Sequence, residues 1–292
     1  MNISAGMVKE LRERTGSGMM ECKKALVEAE GDMELAIENM RKAGLAKADK
    51  KSGRIAAEGI IGVRLSDDAK TVVMVDVNCE TDFVAKGDDF IGFVNDVSSA
   101  LLTSSVETEA QLQDLQLASG ATVDDTRRAL IAKIGENITV RRFVKYTSQT
   151  GGQAAYLHGS KIGVIVELSK NDPALGKDIA MHIAASKPEY VSEDQVSADV
   201  IAKEKEIFSA QALESGKPAE IVEKMVGGRI SKFLAEITLL GQPFIKDDSQ
   251  TVAKLLAANG NAVTRFTRFE VGEGIEKKEE DFAAEVMAQV RG

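Results

Sequence analysis

The chain has no tryptophan, two cysteines, two histidines and four prolines in 292 residues. Cys22 and Cys79 lie far apart in apolar-looking surroundings. That pattern predicts buried thiols in a reduced compartment, not a disulfide scaffold. Two distant histidines, His158 and His182, with two distant cysteines cannot assemble a standard zinc cluster, so no metal is expected. The chain lacks both G-x-x-x-x-G-K-S/T and a G-x-G-x-x-G after a strand, which removes the common phosphate-cradling loops. No cofactor and no catalytic residue are expected. No apolar run approaches the roughly 20 residues of a membrane span. Met1-Asn2-Ile3-Ser4 leads straight into a polar amphipathic stretch, without the apolar core of a secretory signal. These absences predict a cytoplasmic protein with no membrane partner. A basic excess is also missing. The net charge of −9 argues against a direct nucleic-acid partner. The one basic cluster, Arg41, Lys42, Lys47, Lys50, Lys51 and Arg54 around Asp49, reads as a solvated helix end and linker.

What is present is an ordinary globular balance, 43% hydrophobic and 28% charged, at a length that suggests about two domains. Residues 1–44 read as three short helices. Met7, Val8 and Leu11 share one face of the first. Met19, Cys22, Ala25, Leu26 and Ala29 share a face of the second, and Met33, Ala36, Ile37 and Met40 of the third. Gly44 is expected to close that third helix. A three-helix unit of this size has a thin core and suits a docking module.

Residues 59–65 and 71–77 are apolar runs joined by the polar turn Ser66-Asp67-Asp68-Ala69-Lys70, the signature of a hairpin. Phe90, Phe93, Val94, Val97 and Leu101 then give a helical face. Helices are predicted over 108–117 and 124–134, and a strand over 137–146. A looser copy follows: strands at 155–158 and 161–168, then a helix bearing Leu175, Ile179, His182 and Ile183. On that stripe His182 reads as a packed histidine. Residues 192–240 predict an antiparallel helical hairpin, turning at Ser215-Gly216-Lys217-Pro218. A strand returns over 261–271, and an acidic helix ends the chain. The expected class is α+β: a small three-helix N-terminal domain, two duplicated α+β core subdomains, an inserted helical hairpin and a C-terminal helix. The boundaries read as 1–54, 55–145, 146–276 with the insertion at about 192–240, and 277–292.

Between the second strand and the Phe90 helix sits Thr81-Asp82-Phe83-Val84-Ala85-Lys86. Strand-to-helix connections often carry function. Phe83 at such a tip offers a large apolar area with only two torsions to freeze, which suits an anchor in a partner's pocket. The competing reading has Asp82 capping the next helix and Phe83 packed inward as a staple.

Thr-Asp-Phe-Val-Ala-Lys after a V-N-C-x strand end resembles the signature of the elongation factor Ts family. Val8-Lys9-Glu10-Leu11-Arg12-Glu13-Arg14-Thr15-Gly16, Gly18-Met19-Met20 and Cys22-Lys23-Lys24-Ala25-Leu26 resemble its ubiquitin-associated-type N-terminal domain. Lys133-Ile134-Gly135-Glu136-Asn137-Ile138, Met181-His182-Ile183, Gly241-Gln242-Pro243-Phe244 and Phe269-Glu270-Val271-Gly272-Glu273-Gly274 are also similar, in order along the chain. The resemblance implies a nucleotide-exchange factor for elongation factor Tu, with no chemical step of its own. It implies that Thr81, Asp82, Phe83 and Val84 bind the partner and dislodge its magnesium. Met19, Met20 and Lys23, with Leu11 as a weaker candidate, are implied to dock on the partner's nucleotide domain. His158 and Ile245 are implied to hold another of its domains, and the terminal helix near Phe282 and Val286 to touch the nucleotide domain again. Association through the second subdomain, as a homodimer or a two-to-two complex, is also implied. The residues alone leave a different class open, a multidomain adaptor or chaperone built on the N-terminal module, the acidic surface and the helical hairpin.

Overall fold

The computed structural model describes residues 3–149, 152–214 and 218–276. Three helices open the chain: α1 (Ala5–Thr15), α2 (Met19–Glu28) and α3 (Met33–Lys51). Local chemistry sets their ends. The Ser4 hydroxyl accepts from the Met7 N–H at the start of α1, and Asp32 accepts from Leu35 N–H at the start of α3. Gly16, at φ 68°, terminates α1 in the left-handed region. Val8, Leu11, Cys22, Ala25, Leu26, Ala29 and Ala36 form the bundle core.

The first core unit contains β1 (Glu58–Leu65), β2 (Thr71–Cys79), the single-turn α4 (Asp82–Ala85), α5 (Asp88–Thr103), α6 (Glu109–Gln113), α7 (Val123–Ile134) and β3 (Ile138–Thr147). Its antiparallel sheet has the order β1-β2-β3. The second unit contains β4 (Gly152–His158), β5 (Ile162–Leu168), α8 (Pro173–Ser186), α9 (Ala198–Leu213), α10 (Ala219–Ile237), β6 (Pro243–Phe244), β7 (Asp247–Thr251), α11 (Val252–Ala258) and β8 (Val263–Glu270). Its main sheet has the order β4-β5-β8. The duplication holds at the level of topology. In each unit a hairpin is followed by a helix, and a third strand returns beside the second after a long excursion. Both returning strands slip register near one end, at Asp76/Val77 and at Glu167/Leu168.

The layers are helix, sheet, sheet, helix. Val73, Val75 and Val77 pack with Phe90, Phe93, Val94, Val97 and Leu101 on one side of the first sheet. Val164, Val166 and Leu168 pack with Leu175, Ile179 and Ile183 on the outer side of the second. Ile61, Val72, Met74, Tyr146, Ile165 and Phe269 fill the space between the sheets. The sheets approach so closely that a Cβ on Gly163 would lie 2.5 Å from Ile61 Cγ2 and 2.7 Å from Met74 Sδ. Burial on both faces explains why β2 reads as a continuous apolar run and does not alternate. Asp76 and Asn78 are the buried polar exceptions on that strand, and Asp76 is the charged one. It is fully buried and accepts from Arg142 Nε at 3.0 Å. Burial pushes its carboxyl pKa up, against the pull of Arg142. The same guanidinium lies 4.2 Å from the Phe269 ring centroid and pairs with Glu273 at 3.2 Å, so it ties the two units together.

Several expectations need correction. Helix α3 does not stop at Gly44 but continues to Lys51. Apart from Asp49, residues 45–51 are good helix formers, and Gly44 marks a crossing: a Cβ there would sit 3.0 Å from Ala132 Cβ on α7. The helix expected over 108–117 is only Glu109–Gln113, because Gln116 bridges to Thr122. The β6–β7 hairpin and α11 were not expected; Val252 and Leu256 are buried and carry the short apolar spacing that marks α11. Helices α9 and α10 form the expected pair, with Phe208 and Phe233 edge-on at 6.4 Å. Their turn at 215–217 and the terminal helix expected over 277–292 lie outside the described residues. Among the described residues no helix is long and apolar enough to cross a membrane.

Candidate functional site

Thr81 begins the site. It follows β2 with extended backbone and caps α4, its hydroxyl accepting from Val84 N–H at 3.4 Å. The cap is therefore Thr81 and not Asp82, and the helix it starts is α4, one turn long. Helix α5 begins separately after Gly87, with no side-chain cap. Val84 packs on the first core and Ala85 is buried, which pins the inner face of the turn. Phe83 points the other way, at 83% exposure, so the inward-staple reading is wrong. Asp82 pairs with Lys86 at 2.6 Å across one helical turn, and that hydrogen bond holds its carboxyl below the usual range.

The loop preceding β3 grips this turn. Glu136 accepts from Thr81 N–H at 3.0 Å and from the Thr81 hydroxyl at 2.7 Å. Glu80 accepts in return from Asn137 N–H at 2.6 Å and lies 3.4 Å from Arg54. The Asn137 amide donates to Ser52 O and Arg54 O, and Lys51 Nζ donates to Gly135 O. Three segments thus meet here: the end of α3, the turn and the 135–137 loop. Beneath them burial, with a further push from Glu136, raises the Cys79 thiol pKa to about 12, so it stays protonated.

Sequence reasoning singled out the turn but assigned no role to Glu80, Glu136, Asn137 or Lys51. The available signal was the motif Lys133-Ile134-Gly135-Glu136-Asn137-Ile138, which does not say what Glu136 and Asn137 contact.

Met19 and Met20 stand at the exposed start of α2, 59% and 75% accessible, and Lys23 is exposed one turn later. Val27, also exposed, extends that stripe. Leu11 differs from expectation. It is fully buried in the bundle core and supports this face from behind.

His158 is exposed at the end of β4, its Nδ1 3.1 Å from the Tyr156 hydroxyl. Ile245 is half exposed at the tip of the β6–β7 hairpin. Its N–H donates to Nδ1 of the buried His182, whose Nε2 faces Gln242 Oε1 at 2.8 Å. The imidazole is therefore the Nε2–H tautomer, and burial lowers its pKa. Gln242 donates onward to Ser186 O and Glu236 O. His182 is a packed histidine that presents Ile245.

A family model described as Elongation factor TS matches residues 80–273. The chain is 68% identical over 291 residues to "Elongation factor Ts" of Methylococcus capsulatus, covering 100% of this chain and 99% of that protein. It is 61% identical over 293 residues to the protein of the same name from Thioalkalivibrio sulfidiphilus, and 60% over 292 to that from Alkalilimnicola ehrlichii, each over 100% of both chains.

Proposed function

The chain belongs to the elongation factor Ts family, and on that premise we propose that it drives GDP from elongation factor Tu by wedging Phe83 into the partner's nucleotide domain. The observation that carries this reading is a phenylalanine 83% exposed on a turn whose Thr81, Val84 and Ala85 are anchored. An exposed aromatic forfeits the burial energy of its ring, about 1.5–3 kcal/mol, which becomes available on contact with a partner. Because the turn is ordered beforehand, little of that energy is lost in ordering it. Phe83 enters between helices of the partner, and Asp82 beside it disturbs the groups that hold magnesium. GDP then loses metal and phosphate contacts together and leaves faster.

The remaining surfaces hold the partner while this happens. Met19, Met20 and Lys23 present soft, exposed side chains suited to docking on the nucleotide domain. His158 and Ile245, on the second unit, contact a different domain of the partner. The functional modules are 1–54, 55–145, 146–276 and 277–292, acting in the cytoplasm, with homodimeric or two-to-two assembly through the second unit. Linkage fixes the thermodynamics: GDP and the factor weaken each other's binding to elongation factor Tu equally. The factor performs no bond chemistry; it lowers the barrier to release and leaves the GDP/GTP preference to the partner.

Release of a fluorescent GDP from purified elongation factor Tu tests this. Acceleration by the native chain and its loss in Phe83→Ala are the expected results. Undiminished acceleration by Phe83→Ala would sink the wedge, and acceleration by neither protein would sink the exchange role.

A further inference from the structure

The two core units solve the same problem in the same way. After its second strand each unit must turn into a helix, and in each the residue two before the third strand holds that turn. In the second unit Asn261 precedes β8. Its Oδ1 accepts from Lys170 N–H at 3.1 Å and from the Ser169 hydroxyl at 3.0 Å. In the first unit Glu136 precedes β3 and accepts from the N–H and hydroxyl of Thr81. Thr81 and Lys170 each lie two residues past their strands, which end at Cys79 and Leu168. The duplicated frame thus keeps one bracket at corresponding positions. Only in the first unit does the bracketed segment carry an exposed aromatic.

We propose that Glu136 is the positioning residue of the exchange reaction: through Thr81 it orients α4 so that Phe83 is presented to the partner. The proposal deepens the wedge reading and rests on it. Thr81 is both the ligand of Glu136 and the cap of α4, so any rotation of Thr81 swings Phe83. A second arm runs from Glu80 to Asn137 N–H, closing a reciprocal pair of carboxylate bonds between the two loops. The Asn137 amide continues to Ser52 O and Arg54 O just past α3. Docking of the helical bundle and presentation of Phe83 therefore share one junction.

The test exploits the absence of tryptophan from this chain. Phe83→Trp makes a single-indole reporter at the tip, and its anisotropy is read with Glu136 native, Ala, Asp or Gln. In parallel, the same Glu136 variants in the Phe83 chain are titrated in the GDP-release assay. That assay separates the saturating rate from the concentration giving half of it. Glu136→Ala is expected to lower the anisotropy and to cut the saturating rate by roughly tenfold, since small misplacements of a reacting group carry large rate penalties. Half-saturation should move less, because Met19, Met20 and the second unit still dock. Glu136→Asp keeps the charge but is one methylene short, so it should fail like Ala. Glu136→Gln can accept from Thr81 N–H and donate to the Thr81 hydroxyl, so it should recover most of the rate.

Two results overturn the proposal while leaving the wedge intact. One is a saturating rate within about twofold of native for both Glu136→Ala and Glu136→Asp while Phe83→Ala loses it. The other is a Gln variant no better than Ala, which would assign the effect to charge and not position. If Phe83→Ala itself keeps the full rate, the wedge fails and the positioning role goes with it.

Discussion

The connection from β2 to α5 and the connection from β5 to α8 occupy the same place in two copies of one topology, yet they do different things. The second is direct. Asp172 accepts from Leu175 N–H, Pro173 starts α8 at once, and Asn261 ties the backbone down. The first contains an extra turn, α4, capped by Thr81 and ended before Gly87. Its inner residues Val84 and Ala85 face the core, and its outer residue Phe83 faces solvent. The frame that makes one connection inert makes the other a rigid platform. The two connections differ by one helical turn set inside an otherwise matching bracket.

That contrast can be broken most forcefully within the first unit, where two phenylalanines lie seven positions apart. Phe90, on α5, is fully buried against the first sheet. Phe90→Ala should cost about 3–5 kcal/mol of stability in urea unfolding. Phe83→Ala should leave stability within about 0.5 kcal/mol but slow the GDP release that this chain stimulates from elongation factor Tu by roughly tenfold or more, equivalent to about 1.4 kcal/mol or above. A large stability loss for Phe83→Ala would mean that the turn is structural like its counterpart. In the second unit, Asn261→Ala should lower stability by about 1 kcal/mol and leave GDP release unchanged; a slowed release would show that both brackets serve the exchange. Asp82→Ala removes only a solvent-screened pair with Lys86 and should reduce exchange less than Phe83→Ala does.

The smallest effect concerns pH. Burial holds the His182 pKa below its ordinary value of 6.5, so the unfolded chain takes up a proton first as pH falls. The stabilising contribution is therefore intact above about 6.5 and is lost progressively below it. Protonation also removes the acceptor for Ile245 N–H. Thermal midpoints measured between pH 7.5 and 5.5 should fall, with a shallower slope in His182→Gln. An identical slope in both would refute this role.

Much of the frame was legible beforehand. Continuous apolar runs marked β1, β2 and β5, and the spacing from Phe90 to Leu101 marked α5. Asp32 and Asp172 cap α3 and α8, because a short polar side chain there satisfies backbone N–H groups locally. Gly44 misled because its reason is not local: it lies against Ala132, a residue far along the chain. Helix α11 was missed because a short apolar spacing is indistinguishable from loop without the core it packs against. At the site, the turn itself was legible from its motif, whereas the grip of Glu136 on Thr81 was not, since it links residues 55 positions apart.

By itself the sequence determined the α+β class, the duplicated strand and helix pattern, and the family, because these rest on periodicity, caps and motifs that each span a few residues. Tertiary structure alone decided which way Phe83 points. Its own neighbours allowed a helix cap with an inward ring or a platform with an outward one. The choice fell to long-range bonds: Glu136 held Thr81 as the cap, the core took Val84 and Ala85, and the ring was left facing solvent.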